Sequence, residues 1–168
     1  GDKGGYIESD VKDGKGVYSQ TKILGEIEDD ANLTLRTSII GPELKCNGEG
    51  LFHWFMGQSG DITGFIKAIW SGVTTLELAK AIKWSIDSDI TGLYHMTNNS
   101  SINKYELLKL FQKYTEKEIS ISPVEGRGID KSFVDTRALV DYEIPDYENM
   151  IKEMIVNIKS SNMYAYKI

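Results

Sequence analysis

A tyrosine and a lysine four residues apart, Tyr18 and Lys22, are the best candidates in the sequence for acid–base chemistry. On a helix, residues at this spacing lie on one face, so the phenol and the ammonium can point at the same ligand. A phenol with a pKa of about 10 is a poor acid at neutral pH, and a nearby cation favours its phenolate. Such a pair can give a proton to the alkoxide formed when a hydride reaches a ketone, while the lysine also holds ribose hydroxyls.

The spacing by itself is weak evidence for a site. With 9 tyrosines and 16 lysines in 168 residues, about one such pair is expected by chance. Tyr105 and Lys109 are a second match. Context separates the two pairs, because Tyr18 follows a glycine-rich loop, opens a predicted helix and is followed by a strand that ends in Thr-Ser-Ile-Ile-Gly at 37–41.

Hydrophobic periodicity predicts helices that alternate with strands along the chain. The predicted helices cover 17–29, 74 or 75 to 86, 103 to about 114, and 146–159; the predicted strands cover 33–40, 65–70, 92–96 and 118–124; and 51–56 could form one or two helical turns. The helix near 75–86 should bury Leu76, Ala79, Ile82 and Ile86, and the last helix Met150, Ile151, Met154, Ile155 and Ile158. This order indicates an α/β fold, in which helices cover short parallel strands.

Composition excludes several classes of function. The net charge of -6 argues against nucleic acid or an anionic membrane as the main partner. No apolar run approaches the ~20 residues of a membrane span, and the single cysteine favours a reducing cytoplasm. His53 and His95 are isolated, so we expect no metal site.

Several stretches in order resemble one known family. They are Tyr-Ser-Gln-Thr-Lys-Ile-Leu-Gly-Glu at 18–26, Leu-Arg-Thr-Ser-Ile-Ile-Gly at 35–41, Gly-Leu-Tyr-His at 92–95, Asn-Lys-Tyr-Glu-Leu-Leu at 103–108, Ile-Asp-Lys-Ser at 129–132 and Ile-Pro-Asp-Tyr at 144–147. Together they are similar to the extended, sugar-nucleotide branch of the short-chain dehydrogenases/reductases, and within it to the dTDP-4-dehydrorhamnose reductases. The resemblance covers nearly the whole chain.

The resemblance implies roles for particular residues. Tyr18 would be the general acid, and Lys22 would bind the nicotinamide ribose of NADPH or NADH. Thr37, Ser38 and Ile39 would line the nicotinamide at the end of a strand, where open α/β sheets place ligands. Trp70 and Ser71 would contact the nucleotide-sugar substrate, whose 4-keto group the family reduces on the way to dTDP-L-rhamnose.

The resemblance also implies a division of the chain. Residues 1–41 would be the tail end of a Rossmann-like doubly wound domain, with the Tyr-x-x-x-Lys helix. Residues 42–168 would be mostly the small substrate-binding lobe, with returning Rossmann elements.

The chain departs from this family in one respect. No Gly-x-x-Gly-x-x-Gly or Gly-x-Gly-x-x-Gly opens a helix, so the family's pyrophosphate site and its catalytic Ser or Thr are missing. We therefore expect this chain to be a C-terminal portion whose partner is the missing N-terminal half. Without that half, we expect the chain to bind no cofactor tightly. Its uncovered apolar surface should favour a homo-oligomer.

Two other functions remain open from the sequence. A nucleotide-sugar epimerase or dehydratase shares the Tyr-x-x-x-Lys motif and the architecture. A non-catalytic, reductase-like regulatory subunit would share the fold without the activity, because fold alone does not establish function.

Overall fold

The computed structural model describes residues 3–45, 47–137 and 141–168. Its five helices are α1 (Val17–Leu24), α2 (Leu51–Met56), α3 (Thr75–Asp87), α4 (Lys104–Thr115) and α5 (Tyr147–Ser160). Its nine strands are β1 (Leu33–Arg36), β2 (Ile39–Ile40), β3 (Gly60–Phe65), β4 (Ala68–Trp70), β5 (Val73–Thr74), β6 (Gly92–His95), β7 (Ile102–Asn103), β8 (Ile119–Val124) and β9 (Ile129–Asp130). The described residues thus form the mixed α/β fold that the sequence predicts.

Most strand pairs in the described residues are parallel. β1 pairs with β6, β2 with β5, and β3 with β8. β4 lies between antiparallel β7 and parallel β9. Parallel partners require crossover connections, and the chain from β1 to its partner β6 passes through α2 and α3.

The core lies among α2, α4 and α5 and the strands beside them. Phe52, Phe55 and Phe111 are fully buried and meet edge-on or tilted, with ring centroids 5.2 and 5.6 Å apart. The five residues predicted to face inward on α5 are all buried, so that prediction is confirmed.

The predicted helix starts are confirmed at two places by side-chain caps. The Thr74 hydroxyl accepts a hydrogen bond from the Glu77 N–H at 3.2 Å, and the Asn103 side chain accepts one from the Glu106 N–H at 2.8 Å. A side-chain oxygen at this position satisfies an N–H that has no partner inside the helix.

The first predicted helix and strand are both shorter than expected. The helix predicted over 17–29 ends at Leu24, since Gly25 forms its C-cap. The strand predicted over 33–40 divides into β1 and β2, because Thr37 and Ser38 leave the ladder between them. The strand predicted over 65–70 was also wrong in its bounds, because Phe65 ends β3 and Ala68 begins β4.

The buried face predicted for α3 was wrong. The helix buries Glu77, Ala81 and Ser85 instead, whereas Ile82 is 44% exposed and Ile86 73% exposed. Glu77 is compatible with burial because the Tyr142 hydroxyl donates a hydrogen bond to its carboxylate. The buried face of α3 therefore contains Glu77, Ala81 and Ser85, and not the isoleucines that the hydrophobic pattern predicts.

Candidate active site

Helix α1 presents Tyr18 and Lys22 together on its outer surface. The Lys22 ammonium lies 5.6 Å from the centroid of the Tyr18 ring, within the range of a cation–π contact. None of the helix residues is buried, and Tyr18 is 76% exposed. Neither the phenol oxygen nor the ammonium has a hydrogen-bond or ion-pair partner among the described residues, so both are available to a ligand.

Two clefts meet at this pair. The helix-side cleft, of about 720 Å³, is lined by Tyr18, Lys22, Gly25, Glu26, residues 34–39 and Leu78. The loop-side cleft, of about 370 Å³, contains the same tyrosine and lysine together with Thr37, Ser38, His95, Phe133 and much of the segment 6–14. The structure therefore brings Tyr18, Lys22, Thr37, Ser38 and Ile39 to one place.

Thr37 and Ser38 face the clefts because they lie in the break between β1 and β2. The Thr37 hydroxyl donates to the Met96 carbonyl at 3.0 Å, which fixes its side chain beside the end of β6. The Ser38 carbonyl accepts from the Val73 N–H at 3.0 Å. This geometry places both hydroxyl-bearing residues at the carboxyl end of a parallel strand, where α/β folds bind ligands.

An ion pair connects α1 to the strand below it. The Arg36 guanidinium grips the Glu26 carboxylate with two hydrogen bonds, of 2.7 and 2.8 Å. Lys12 adds a second cation 2.6 Å from the same carboxylate. Although burial alone would raise it, the pKa of Glu26 is lowered by the hydrogen bonds and charges of Arg36 and Lys12. The contact matters because α1 buries no residue of its own.

A buried carboxylate organises the loop-side wall. Glu8 accepts hydrogen bonds from the His95 N–H at 3.0 Å and from the hydroxyl of Thr136 at 2.6 Å. Burial would raise its pKa, but these hydrogen bonds outweigh burial and lower it to about 2. The backbone of the same loop pairs with the chain near Phe133 through the Tyr6 N–H and carbonyl.

His95 completes this wall with contacts from both of its ring nitrogens. Its Nδ1 lies 2.9 Å from the Val134 carbonyl, which can only accept, so Nδ1 carries the proton. Its Nε2 then accepts from the Arg36 guanidinium at 3.2 Å. The residue is buried, and the network holds the strand pair β1–β6 in place beside the clefts.

Sequence reasoning overlooked the supporting residues of this site, among them Glu8, Glu26 and Arg36. Two signals could have indicated the ion pair. Arg36 is the one charged residue of an otherwise uncharged strand, and Glu26 follows directly after the glycine that ends α1. The role of Glu8 depends on residues more than 80 positions away and left no local signal.

Trp70 and Ser71 lie apart from the pair on α1. Ser71 is fully buried, and its hydroxyl accepts from the Phe133 N–H at 2.9 Å. Trp70 is half-buried against the core, with its ring 5.8 Å from that of Tyr147. Neither lines the two clefts, and their contact with substrate stays a prediction.

The second Tyr-x-x-x-Lys sequence lies on α4, away from both clefts. The Cα of Tyr105 packs so closely on Gly64 that a methyl group there would come within 2.7 Å of it. The Lys109 ammonium donates to the Gln112 side chain at 2.6 Å. These contacts support the interpretation of this pair as part of a structural helix.

Two further observations concern membrane helices and metal sites, and both apply to the part of the chain that the structure describes. No helix is long and apolar enough to cross a membrane. No group of three or more His, Cys, Asp or Glu side chains is arranged to hold a metal ion.

Sequence comparison finds no relatives of this chain, but structure comparison does. No protein-family model matches the sequence, and no curated protein matches it significantly. Solved structures do match: a dTDP-4-dehydrorhamnose reductase from Clostridium acetobutylicum has a TM-score of 0.73 at 16% identity, over 94% of this chain and 61% of its own. One from Bacillus anthracis, in complex with NADP, has a TM-score of 0.69 at 17% identity, over 91% and 59%.

A nucleotide-sugar epimerase also matches, with a lower TM-score and over less of this chain than the reductases. A UDP-N-acetylglucosamine 4-epimerase from Methanobrevibacter ruminantium has a TM-score of 0.54 at 22% identity, over 75% of this chain and 45% of its own. The chain thus spans about 60% of the length of the reductases and less of the epimerase. It has the Rossmann-like α/β fold of the dTDP-4-dehydrorhamnose reductases, over part of such a chain.

Proposed function

We propose that this chain supplies the proton-donating part of an NADPH- or NADH-dependent reductase that acts on a 4-keto nucleotide-sugar. The observation that carries the proposal is the shared cleft, in which Tyr18 and Lys22 face Thr37, Ser38 and Ile39 at the end of a strand. Likeness in fold to reductases over 90% or more of the chain supports it.

The residues in the cleft fit one end of a nicotinamide cofactor. The Lys22 ammonium has three donors and no protein partner among the described residues, which suits the hydroxyls of a ribose. The hydroxyl of Ser38 and the apolar Ile39 offer a polar and an apolar contact to a nicotinamide ring. Bound there, the cofactor would supply the hydride that reduces the carbonyl carbon.

The role of Tyr18 follows from charge. A carbonyl that receives a hydride becomes an alkoxide, which must gain a proton to form the product hydroxyl. The Tyr18 phenol can donate this proton, and the Lys22 charge beside it stabilises the phenolate that remains. The phenolate then takes a proton from solvent, which its exposure permits.

The other end of the cofactor finds no site here. A pyrophosphate is usually held by a glycine-rich turn at a helix N-terminus, and the sequence has no such motif. We therefore propose that the chain acts together with a Rossmann half that carries this motif. Alone it should bind NADPH no better than millimolar; micromolar binding in a calorimeter would contradict this.

The chain offers a matched control for the catalytic assignment. In the parent protein, with its Rossmann half, Tyr18→Phe should reduce NADPH oxidation in the presence of a dTDP-4-keto sugar about 10²–10⁴-fold. Tyr105→Phe, in the second Tyr-x-x-x-Lys sequence, should leave the rate unchanged. Equal rates for Tyr18→Phe and the unaltered protein would sink the proposal.

The same assay separates the alternatives. A reductase consumes one NADPH for each sugar, whereas an epimerase or dehydratase consumes none overall. A regulatory subunit would show no turnover with any of these sugars. The broader and stronger structural match to reductases than to the epimerase favours the reductase.

A further inference from the structure

A separate pocket lies at the opposite end of α2 from its N-terminus, among segments distant in sequence. It measures about 460 Å³ and is lined by Glu43, Leu44, Lys45, His53, Met56, Gly57, Lys117, Ala165, Tyr166 and Lys167. We call it the C-terminal pocket. It shares no lining residue with the two clefts at Tyr18.

Three lysines converge on this pocket without carboxylate partners. Among the described residues, Lys45, Lys117 and Lys167 form no ion pair. Six other lysines of the described residues lie within ion-pair distance of an acidic side chain, and seven more, among them Lys22, do not. Three lysines against one carboxylate give this pocket an excess of positive charge, although the chain as a whole carries a net charge of -6.

The lining contains one acidic side chain, Glu43, which keeps its negative charge. The Glu43 carboxylate accepts a hydrogen bond from the Gly50 N–H. Lys117 donates to the Met56 carbonyl at 2.9 Å, which uses one of its three donors and fixes its ammonium at the pocket wall. The remaining donors can bind an anion.

A phenol and an imidazole form the polar wall. The Tyr166 oxygen accepts from the Glu43 N–H at 2.9 Å and lies 2.8 Å from Nδ1 of His53. Burial, helped by the Glu43 charge, raises the pKa of Tyr166, so its hydroxyl keeps its proton. The same hydroxyl donates to the Glu43 carbonyl at 3.4 Å, and Nε2 of His53 has no hydrogen-bond partner among the described residues.

The rest of the lining is apolar. Leu44 is 67% exposed, and Met56 and Ala165 lie beside it. A volume of a few hundred Å³ with apolar walls and a few polar groups is typical of small-molecule sites. The lining thus combines apolar surface, the Tyr166 hydroxyl with the His53 imidazole, and three lysines against one carboxylate.

We infer that the C-terminal pocket binds a small organic anion, with its phosphate or carboxylate at the lysines and its apolar body against Leu44 and Met56. The site is independent of the proposed reductase chemistry, because the two share no residue. A ligand bound here would hold the C-terminal segment against α2, since Tyr166 and Lys167 belong to that segment.

Binding of defined probes to the 168-residue chain tests the inference. Phenyl phosphate and benzoate distinguish the two anionic groups, and benzyl alcohol has the same ring without charge. We expect at least one anion to bind at least tenfold more tightly than benzyl alcohol in calorimetry. Equal binding of all three probes, or no binding of either anion, would overturn the inference.

Two sets of variants locate the site. Lys45→Gln with Lys167→Gln should weaken binding of the anion about tenfold or more, while Lys152→Gln with Lys159→Gln, on the exposed face of α5, should not. Tyr166→Phe should weaken binding as well, whereas Tyr164→Phe should not. Unchanged affinity in both pocket variants, with unchanged circular dichroism, would contradict the assignment of the pocket.

Discussion

Arg36 holds Glu26 by both carboxylate oxygens, and this contact fastens the helix of Tyr18 and Lys22 to the sheet. Both side chains are less than one-fifth exposed. Such a planar, two-point contact fixes direction as well as distance. It matters here because no residue of α1 is fully buried, so the apolar packing of this helix is slight.

Removal of this contact should loosen α1 selectively. Glu26→Gln removes the charge that Arg36 and Lys12 share, and we expect a loss of about 1–3 kcal/mol in the free energy of unfolding. Amide hydrogen exchange should rise in α1 before it rises in α4 or α5. Glu125→Gln, in the exposed pair with Lys67, is the control and should have little effect. Equal protection of α1 in both variants would contradict this role.

Glu8 should make stability depend on pH in the acid range. Its pKa is lowered from 4.5 to about 2 in the folded chain, so the stabilisation it provides is present above pH 4.5 and is lost as pH falls toward 2. The difference is on the order of 3 kcal/mol. Urea unfolding between pH 6 and 2 measures it.

Substitution of Glu8 tests whether this carboxylate causes the dependence of stability on acid pH. Asp135 has a raised pKa, first through burial and then through its hydrogen bond with Glu8 and the Glu8 charge, and so shifts stability in the opposite direction. In Glu8→Gln, the free energy of unfolding should therefore fall less steeply between pH 4.5 and pH 2 than in the unaltered protein. An unchanged dependence of this free energy on pH would show that other groups cause the loss of stability in acid.

Gly72 should tolerate no side chain. Its φ is +153°, and a methyl group there would lie 2.1 Å from the Ser38 carbonyl oxygen, which is backbone and cannot rotate away. We expect Gly72→Ala to destabilise the fold by roughly 1–3 kcal/mol and to displace Ser38 from the clefts. Gly128→Ala is the control, since a methyl group there meets nothing within 4 Å. Equal unfolding midpoints would refute the close approach.

Truncation of an exposed isoleucine on α3 and of a buried isoleucine on α5 should change the free energy of unfolding by different amounts. Ile86→Ala, at a side chain 73% exposed, should change the free energy of unfolding by less than about 0.5 kcal/mol. Ile155→Ala, at a side chain 2% exposed, should cost about 2–5 kcal/mol. A large loss in the free energy of unfolding for Ile86→Ala in dilute solution would mean that the outer face of α3 is buried in the folded chain.

Self-association is still a prediction and can be tested at the same face. Ile82 and Ile86 on α3, with Val17 and Leu24 on α1, are apolar side chains between 44% and 83% exposed. If they associate, Ile86→Lys should shift sedimentation toward the monomer at high protein concentration. A monomer at all concentrations before substitution would remove the prediction.

Much of this architecture is determined locally by the sequence. The caps at Thr74 and Asn103, the inward face of α5 and the start of α1 at Val17 follow from short-range patterns. Local patterns succeed there because helix caps and apolar stripes act over a few residues. The Tyr-x-x-x-Lys pair was also visible, although its spacing alone could not distinguish it from Tyr105 and Lys109.

The tertiary structure decided what surrounds that pair. On α3, Glu77 is buried and accepts a hydrogen bond from Tyr142, whereas Ile86 is exposed. Glu26 lies just after the helix α1 and binds Arg36 of β1. Glu8 became a structural carboxylate only because residues 87 and 128 positions away donate to it. The sequence by itself thus determined which residues could do chemistry. Long-range polar contacts decided how those residues are held, because a carboxylate is stable in a buried position only when hydrogen-bond donors surround it, and here those donors come from distant parts of the sequence.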